Sequence, residues 1–312
     1  MCRKIAVGWC VLFGALAGAG VSVHAAEPLR VMTFNIWVGG ESGGQPLAQT
    51  TMVIEAAKAD IVGVQESHGE ERNGKKNDAA RAIAEQLGWH YFDQGDDDTG
   101  IISRYTIVDQ TPKKWGAAVE LPSGQRVWVF NVHFNHTPYQ PYQLLKIPYN
   151  DAPYITTEAE AIDEAKKARA EQVAEMLKEI NSVRREGTPI FVTGDFNEPS
   201  SLDWTEAVAQ AGKCPVAVCW PTTAAILDAD FVDAYRVARP FLLSSPGYTW
   251  TPITSVDDPQ DRHDRIDFVL VGGSGAKVEA AEVVGEKSEW ADVVVTPYPS
   301  DHRGVVAAFE VE

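Results

Sequence analysis

The chain is 312 residues long, with 27 basic against 44 acidic residues and a formal charge of −17. So acidic a chain lacks the basic stripe of a tight nucleic-acid binder, although bound divalent cations can invert the field locally and leave a nuclease open. The length exceeds the usual single-domain mode, but sandwich folds reach it as one domain, and neither a low-complexity linker nor a repeat divides it.

Residues 1–25 read as a signal peptide. Arg3 and Lys4 precede an apolar run over residues 5–23, and Val23-His24-Ala25 provides for cleavage before Ala26. Trp9 stands where a lipobox before Cys10 would need a small residue. The mature chain, residues 26–312, is therefore expected to be one domain, secreted or periplasmic, monomeric and without a transmembrane span. Loss of Arg3 and Lys4 leaves 25 basic against 44 acidic residues, a net −19. Cys2 and Cys10 leave with the leader, and an oxidising compartment predicts a disulfide between Cys214 and Cys219. Without nearby histidines the pair makes a poor zinc site.

Residues 29–36 read as a strand that delivers Asn35 at its end. Helical spacing over 46–59 (Leu47, Thr51, Ile54, Ala57) leads to an apolar strand, 61–64, that ends at Gln65-Glu66. A helix over 77–87 and short strands near 89–92 and 100–103 follow. Residues 107–114, 116–121 and 126–134 read as antiparallel strands, the last two joined by the Pro122-Ser123-Gly124 turn. Residues 136–154 then carry Tyr139, Tyr142, Tyr149 and Tyr154 among Pro138, Pro141, Pro148 and Pro153. A loop of this length and composition is functional or disordered, and its start beside His133 puts it near any cleft that His133 faces. A charged helix over 157–181 has an apolar stripe (Ala165, Ala168, Val173, Met176, Leu177, Ile180).

The β-branched run 189–192 leads into Gly194-Asp195-Phe196-Asn197. Gly194 is expected to let the chain leave the strand, and Pro199 to stop it. In extended chain Asp195 and Asn197 would share a face, a carboxylate beside a neutral amide that can donate to an anionic oxygen. Ser200 and Asp203 resemble a capping box opening a helix to residue 211. Residues 232–239 read as helical, 248–250 as extended, 265–271 and 304–311 as strands, the last beginning after Ser300-Asp301-His302. Alternating strands and helices, then clustered strands, then the alternation again, predict an α/β fold of two packed sheets with helices outside.

Polar groups recur where apolar strands end: Asn35, Glu66, His133, Asp195 with Asn197, Asp267, and Asp301-His302. So many ends are hard to explain unless they face one cleft. Together with Phe34-Asn35-Ile36, Gln65-Glu66, Gly100-Ile101-Ile102-Ser103-Arg104, Asn131-Val132-His133, Arg265-Ile266-Asp267-Phe268 and Ser300-Asp301-His302, they resemble the endonuclease/exonuclease/phosphatase superfamily. Its members include DNase I, apurinic endonucleases, neutral sphingomyelinases and inositol polyphosphate 5-phosphatases. The resemblance spans nearly the whole mature chain and implies a four-layer αββα sandwich of two mixed β-sheets. It also implies Mg²⁺- or Mn²⁺-dependent hydrolysis of a phosphoester.

By that resemblance Glu66 is the principal metal ligand, Asn35 orients it or the metal's water, and Asp301 is a further ligand. Asp195 activates the attacking water, Asn197 contacts the phosphoryl group, and His302 is the base, or a donor if protonated, with Asp267 as its partner. His133 contacts the phosphate or assists the leaving group, supported by Asp97 or Asp98. Arg104, His68, His90, His136 and His263 read as structural or surface residues. Apurinic endonucleases carry an aspartate two residues after the first Asn; here it is Trp37, and no basic DNA-inserting loop is evident. The expected substrate is therefore a small or headgroup phosphodiester, with a nuclease as the competing enzyme and a non-catalytic binding protein as the competing class.

Overall fold

The computed structural model describes residues 26–71, 74, 76–95 and 98–312. The leader and Asp97 lie outside the described residues. The strands are β1 (Glu27–Asn35), β2 (Ile61–Gln65), β3 (His90–Asp93), β4 (Thr99–Ser103), β5 (Thr106–Gln110), β6 (Gly116–Glu120) and β7 (Arg126–His133). They continue as β8 (Ile190–Asp195), β9 (Phe231–Asp233), β10 (Asp267–Gly272), β11 (Ala276–Gly285), β12 (Val293–Val294) and β13 (Gly304–Val311). The helices are α1 (Leu47–Ala56), α2 (Ala79–Leu87), α3 (Gln140–Leu145), α4 (Glu158–Val183), α5 (Glu206–Gln210), α6 (Pro221–Leu227) and α7 (Ala234–Ala238).

Two mixed sheets form, in the orders β12-β11-β13-β1-β2-β4-β3 and β5-β6-β7-β8-β10-β9. Side chains alternate across each strand, so each sheet has two apolar faces to cover. Val31, Ile61 and Ile101 from one sheet meet Val129, Phe191 and Val269 from the other in the central core. Their neighbours point outward: Met32, Val62 and Ile102 pack under Val53, Ile54 and Ile83 of α1 and α2. On the far side Phe130, Val192 and Leu270 pack under Val173, Met176 and Ile180 of α4. The result is the four-layer αββα sandwich.

Polar residues also tie the sheets together. Asn131 Nδ2 donates to the Val64 carbonyl at 2.9 Å, and Gln65 Nε2 to Asn131 Oδ1 at 2.6 Å. Gly63 is required there, because a Cβ would lie 2.0 Å from Thr193 Oγ1. Arg104 braces β4 from outside, 3.3 Å from Asp60 and over the Trp89 ring, the structural role expected of it.

Several local expectations are corrected. Gly194 does not release the chain from its strand: it pairs with Val132 and Phe268 inside β8, and a Cβ would lie 2.4 Å from the Val132 carbonyl oxygen. The turn comes at Asn197, which adopts φ +50°, so Asp195 and Asn197 are not on one extended face. Ser200 and Asp203 form a turn, and α5 opens instead at Thr205, whose hydroxyl accepts from Val208 N. Asp203 is drawn off by Arg265, with both contacts at 3.0 Å. Residues 232–239 divide into β9 and α7, because Asp233 caps α7 at the Arg236 amide. Cys214 and Cys219 are free thiols, so the expected disulfide is not formed. Cys214 packs against Trp204 and Trp220, where burial pushes its pKa up to about 11, while Cys219 is exposed.

Candidate active site

β1, β2, β7 and β8 all end at one edge of the sandwich. β7 and β8 run parallel with His133 opposite Asp195. Asp267 and Asp301-His302 stand at the beginnings of β10 and β13. Both strands run antiparallel to a neighbour, so their starts fall on the same edge: Asp267 lies opposite Asp195, and β13 enters beside the end of β1. The catalytic candidates therefore converge.

Asp195 Oδ2 is the centre of the cluster. His133 Nε2 and His302 Nε2 each lie 3.6 Å from it, and Asn35 Nδ2 donates to it at 3.1 Å. Asp195 Oδ1 accepts the Asn197 amide at 2.9 Å, which secures the left-handed turn. Asn197 Nδ2 holds the Phe134 carbonyl at 3.0 Å and so fixes the chain just past His133. His302 Nδ1 meets Asp267 Oδ2 at 3.0 Å. Burial alone would lower the His302 pKa, but the charges of Asp267 and Asp195 outweigh it and raise the value to about 10. At neutral pH His302 is thus an imidazolium held between two carboxylates.

Glu66 follows β2 in the left-handed region, at φ +52°. Its Oε1 accepts from Asn35 Nδ2 at 3.0 Å and its Oε2 from the Val38 amide at 2.8 Å, so the carboxylate is fixed at both oxygens. Asn35 directs its NH₂ at two carboxylates, while its Oδ1 accepts from Trp37 N at 3.0 Å. Asn35 is thereby placed to orient both Glu66 and Asp195.

A hard divalent cation fits this corner. Asp301 Oδ1 is buried and has no hydrogen-bond partner, and Asp301 lines the same cavity as the fixed carboxylate of Glu66. Asp195, Asp267 and His302 also cluster, with ligand atoms within 4.8 Å of one another. A cation there would displace the proton that joins His302 to Asp267, so that trio is better suited to holding a proton. Burial, reinforced by the charges of Glu66 and Asp195 and opposed by His302, raises Asp301 to about 6.

The sign follows from Asp301 binding its proton more tightly when folded. Relative to an Asp301→Asn variant, the metal-free protein is expected to lose stability as pH rises from about 4, the unfolded value, to about 6. Over the same window the rise in melting temperature on adding Mg²⁺ should grow in the wild type and stay flat in the variant. Thermal melts at several pH values, with and without Mg²⁺, check both.

The cluster opens into a cavity of about 290 Å³. One wall comes from the tyrosine- and proline-rich segment, which is an ordered flap carrying α3 rather than a bare loop. His136, Tyr139, Tyr142 and Tyr149 line the cavity, Trp37 and Trp250 face it from other loops, and Tyr154 points to solvent. Sequence reasoning missed His136, Trp37 and Trp250 as lining residues. His136 and Trp37 are near motif residues, which was an available signal; Trp250 had none. Trp250 is brought in by tertiary structure, its ring 4.9 Å from that of His302. The support expected for His133 from Asp98 is not found, because Asp98 pairs with His68 Nδ1 at 2.9 Å. His263 is buried at Thr254 and lies off the cavity lining.

A buried ion pair braces this wall. Arg169 of α4 donates to Glu198 Oε2 and to the Asn135 carbonyl, each at 2.9 Å, and also to the Gln140 side-chain oxygen. Arg169→Met would strand the Glu198 charge, so unfolding free energy should fall by about 3–5 kcal/mol in urea titrations.

Residues 32–302 match the Endonuclease/Exonuclease/phosphatase family. The chain belongs to that family. Members of this family are metal-dependent phosphoester hydrolases, and the protein is an enzyme of that class. An uncharacterised Caenorhabditis elegans protein is 28% identical over 315 residues, spanning 92% of this chain and 93% of its own. Among solved structures, an endonuclease/exonuclease/phosphatase from Beutenbergia cavernae matches at a TM-score of 0.55 and 19% identity, over 91% of this chain and 72% of that one. An AP endonuclease from Archaeoglobus fulgidus matches at 0.53 and 15%, over 89% and 98%. A Neisseria 3′ phosphatase bound to a product DNA hairpin matches at 0.52 and 18%, again over 89% and 98%. At these identities the family enzymes share the fold, and substrate is a separate question. No helix among the described residues is long and apolar enough to cross a membrane.

Proposed function

We propose that this enzyme is exported and hydrolyses a small phosphodiester by in-line attack of water on phosphorus. The cavity of about 290 Å³ under an aromatic wall carries the reading, since it suits one phosphoryl group with a modest substituent. No Lys or Arg lines it among the described residues, whereas a bound polynucleotide asks for a basic track along its backbone. The charged, then apolar, start of the chain supports export.

In this reading Asp195 Oδ2 takes the proton of the attacking water. His302 donates its Nε2–H to a phosphoryl oxygen, while Asp267 keeps the ring's other nitrogen protonated. His133, on the opposite side of Asp195, assists the departing alkoxide, and Asn197 contacts the phosphoryl group. Glu66 and Asp301 would hold Mg²⁺ or Mn²⁺, which when bound supplies charge neutralisation for the phosphoryl oxygens.

A nuclease is the second reading, favoured by the DNA-directed names of the Archaeoglobus and Neisseria relatives. Turnover of bis-p-nitrophenyl phosphate and of duplex DNA, each with Mg²⁺ and with EDTA, separates the two. The expected result is EDTA-sensitive hydrolysis of the aryl diester with DNA a poor substrate. Comparable kcat/KM on DNA would replace our reading with the nuclease, and failure to turn over either ester would sink both.

A further inference from the structure

The aromatic wall is built as a box rather than as a pair of plates. The Tyr139 and Tyr142 rings stand 4.9 Å apart at 87°, and Tyr142 and Tyr149 stand 5.7 Å apart, also at 87°. Flat rings such as nucleobases are gripped by parallel faces; successive perpendicular rings enclose a rounded group instead. Trp250 is locked to this box, its indole N–H donating to Tyr142 Oη at 3.2 Å.

Charge behind the rings sets what kind of rounded group is favoured. Tyr139 Oη donates to Asp264 Oδ2 at 3.0 Å, and Tyr142 Oη donates to Asp261 Oδ1. A phenol that donates to a carboxylate has a more electron-rich ring face, which strengthens attraction for a cation. Asp264 is partly offset by Arg262, whose Nη2 lies 3.2 Å away. Asp261 is not: it accepts from Tyr142, from the Trp250 indole at 3.2 Å, from Thr254 Oγ1 at 2.6 Å and from the Arg262 backbone amide, all neutral donors. No Lys or Arg lines the cavity among the described residues, and the one imidazolium on it, His302, is held by Asp195 and Asp267. The rings backed by Asp261 and Asp264 thus form an apolar wall with acidic support.

We propose that the box formed by Tyr139, Tyr142, Tyr149 and Trp250 is a subsite for an organic cation, a quaternary or N-methylated ammonium carried on the alcohol of the phosphoester. This deepens the phosphodiesterase reading and, as a statement about esters, rests on it. Cation binding by the box does not. The phosphate end of such a substrate faces the metal corner and the ammonium end faces the rings, so a zwitterion matches the site at both ends.

Calorimetric titration with choline and with its neutral isostere 3,3-dimethylbutan-1-ol tests the box directly. Choline should bind roughly tenfold more tightly, the ratio expected of a desolvated cation–π contact. Tyr142→Leu should erase the ratio and Tyr142→Phe, which keeps the ring, should restore most of it. Tyr149 is only half-buried, so Tyr149→Leu provides the same reading if Tyr142→Leu does not fold. With Mg²⁺ present, the p-nitrophenyl phosphodiester of choline should have a lower KM than that of 3,3-dimethylbutanol by a similar factor, at equal kcat. Equal binding of the two alcohols, tighter binding of thymidine than of choline, or a preference that survives both leucine variants would overturn the subsite. If choline binds as expected but neither ester is hydrolysed, the subsite stands and the phosphodiesterase reading falls.

Discussion

Glu66→Gln is expected to lower Mg²⁺-dependent phosphoester turnover by well over a hundredfold. The loss exceeds the 10–100-fold typical of disturbing a residue one step behind a metal, because the change strikes three interactions at once. An amide lacks the charge a hard cation requires. Its NH₂ would also face one of two fixed donors, Asn35 Nδ2 or the Val38 amide, which lie at 3.0 and 2.8 Å from the native carboxylate. If Asn35 swings away in response, Asp195 loses the 3.1 Å contact that aims it. Steady-state turnover across a Mg²⁺ series, together with calorimetric titration of Mg²⁺, measures each part. Near-normal activity with unchanged Mg²⁺ affinity would remove Glu66 from the site.

His302→Ala should cut kcat by roughly 10²–10⁴, the usual loss for a group that transfers or donates a proton in the transition state. The burial of Asp267 adds a second, independent readout. His302 has a folded pKa raised to about 10, against an ordinary value of 6.5. Its contribution to stability is therefore fully present below about pH 6.5 and is lost as pH rises toward 10. In the metal-free protein the stability advantage of wild type over His302→Gln should shrink across that window. An advantage that held constant from pH 6.5 to 10 would show that the imidazolium is not what Asp267 and Asp195 hold, even if kcat fell as expected.

Much of the site was legible because its chemistry is local to short motifs. Asn35, Glu66, His133, Asp195, Asp267 and His302 each stand where an apolar strand meets a polar segment, and the structure brings all six to one edge. What short stretches leave open is direction. Asn35, Glu66, His133 and Asp195 stand at or just past the ends of their strands, while Asp267 and His302 open theirs. Only the antiparallel pairing of β10 with β8 and of β13 with β1 puts all six on one edge. The same limit applies to Gly194: a glycine at a strand end reads as a turn, whereas here it admits the Val132 carbonyl from a strand more than sixty residues earlier in the chain. Asp203 looked like a cap because its nearest neighbours in sequence permit one, and it became an ion-pair partner because Arg265 is nearer in space.

The sequence by itself determined the layer pattern, the family and the polar residues of the cleft, since alternation, run length and motif spacing are all properties of short stretches. Tertiary structure decided everything that depends on two distant stretches meeting. It made Asn35 a bridge between Glu66 and Asp195, and it left Cys214 packed against tryptophans instead of bonded to Cys219. It also stood Tyr139, Tyr142 and Tyr149 on edge against one another and closed the box with Trp250. Side-chain direction and burial are set by the packed neighbours. Some of those neighbours lie far along the chain, Asp195 160 residues from Asn35 and Trp250 108 from Tyr142, beyond the reach of any local pattern.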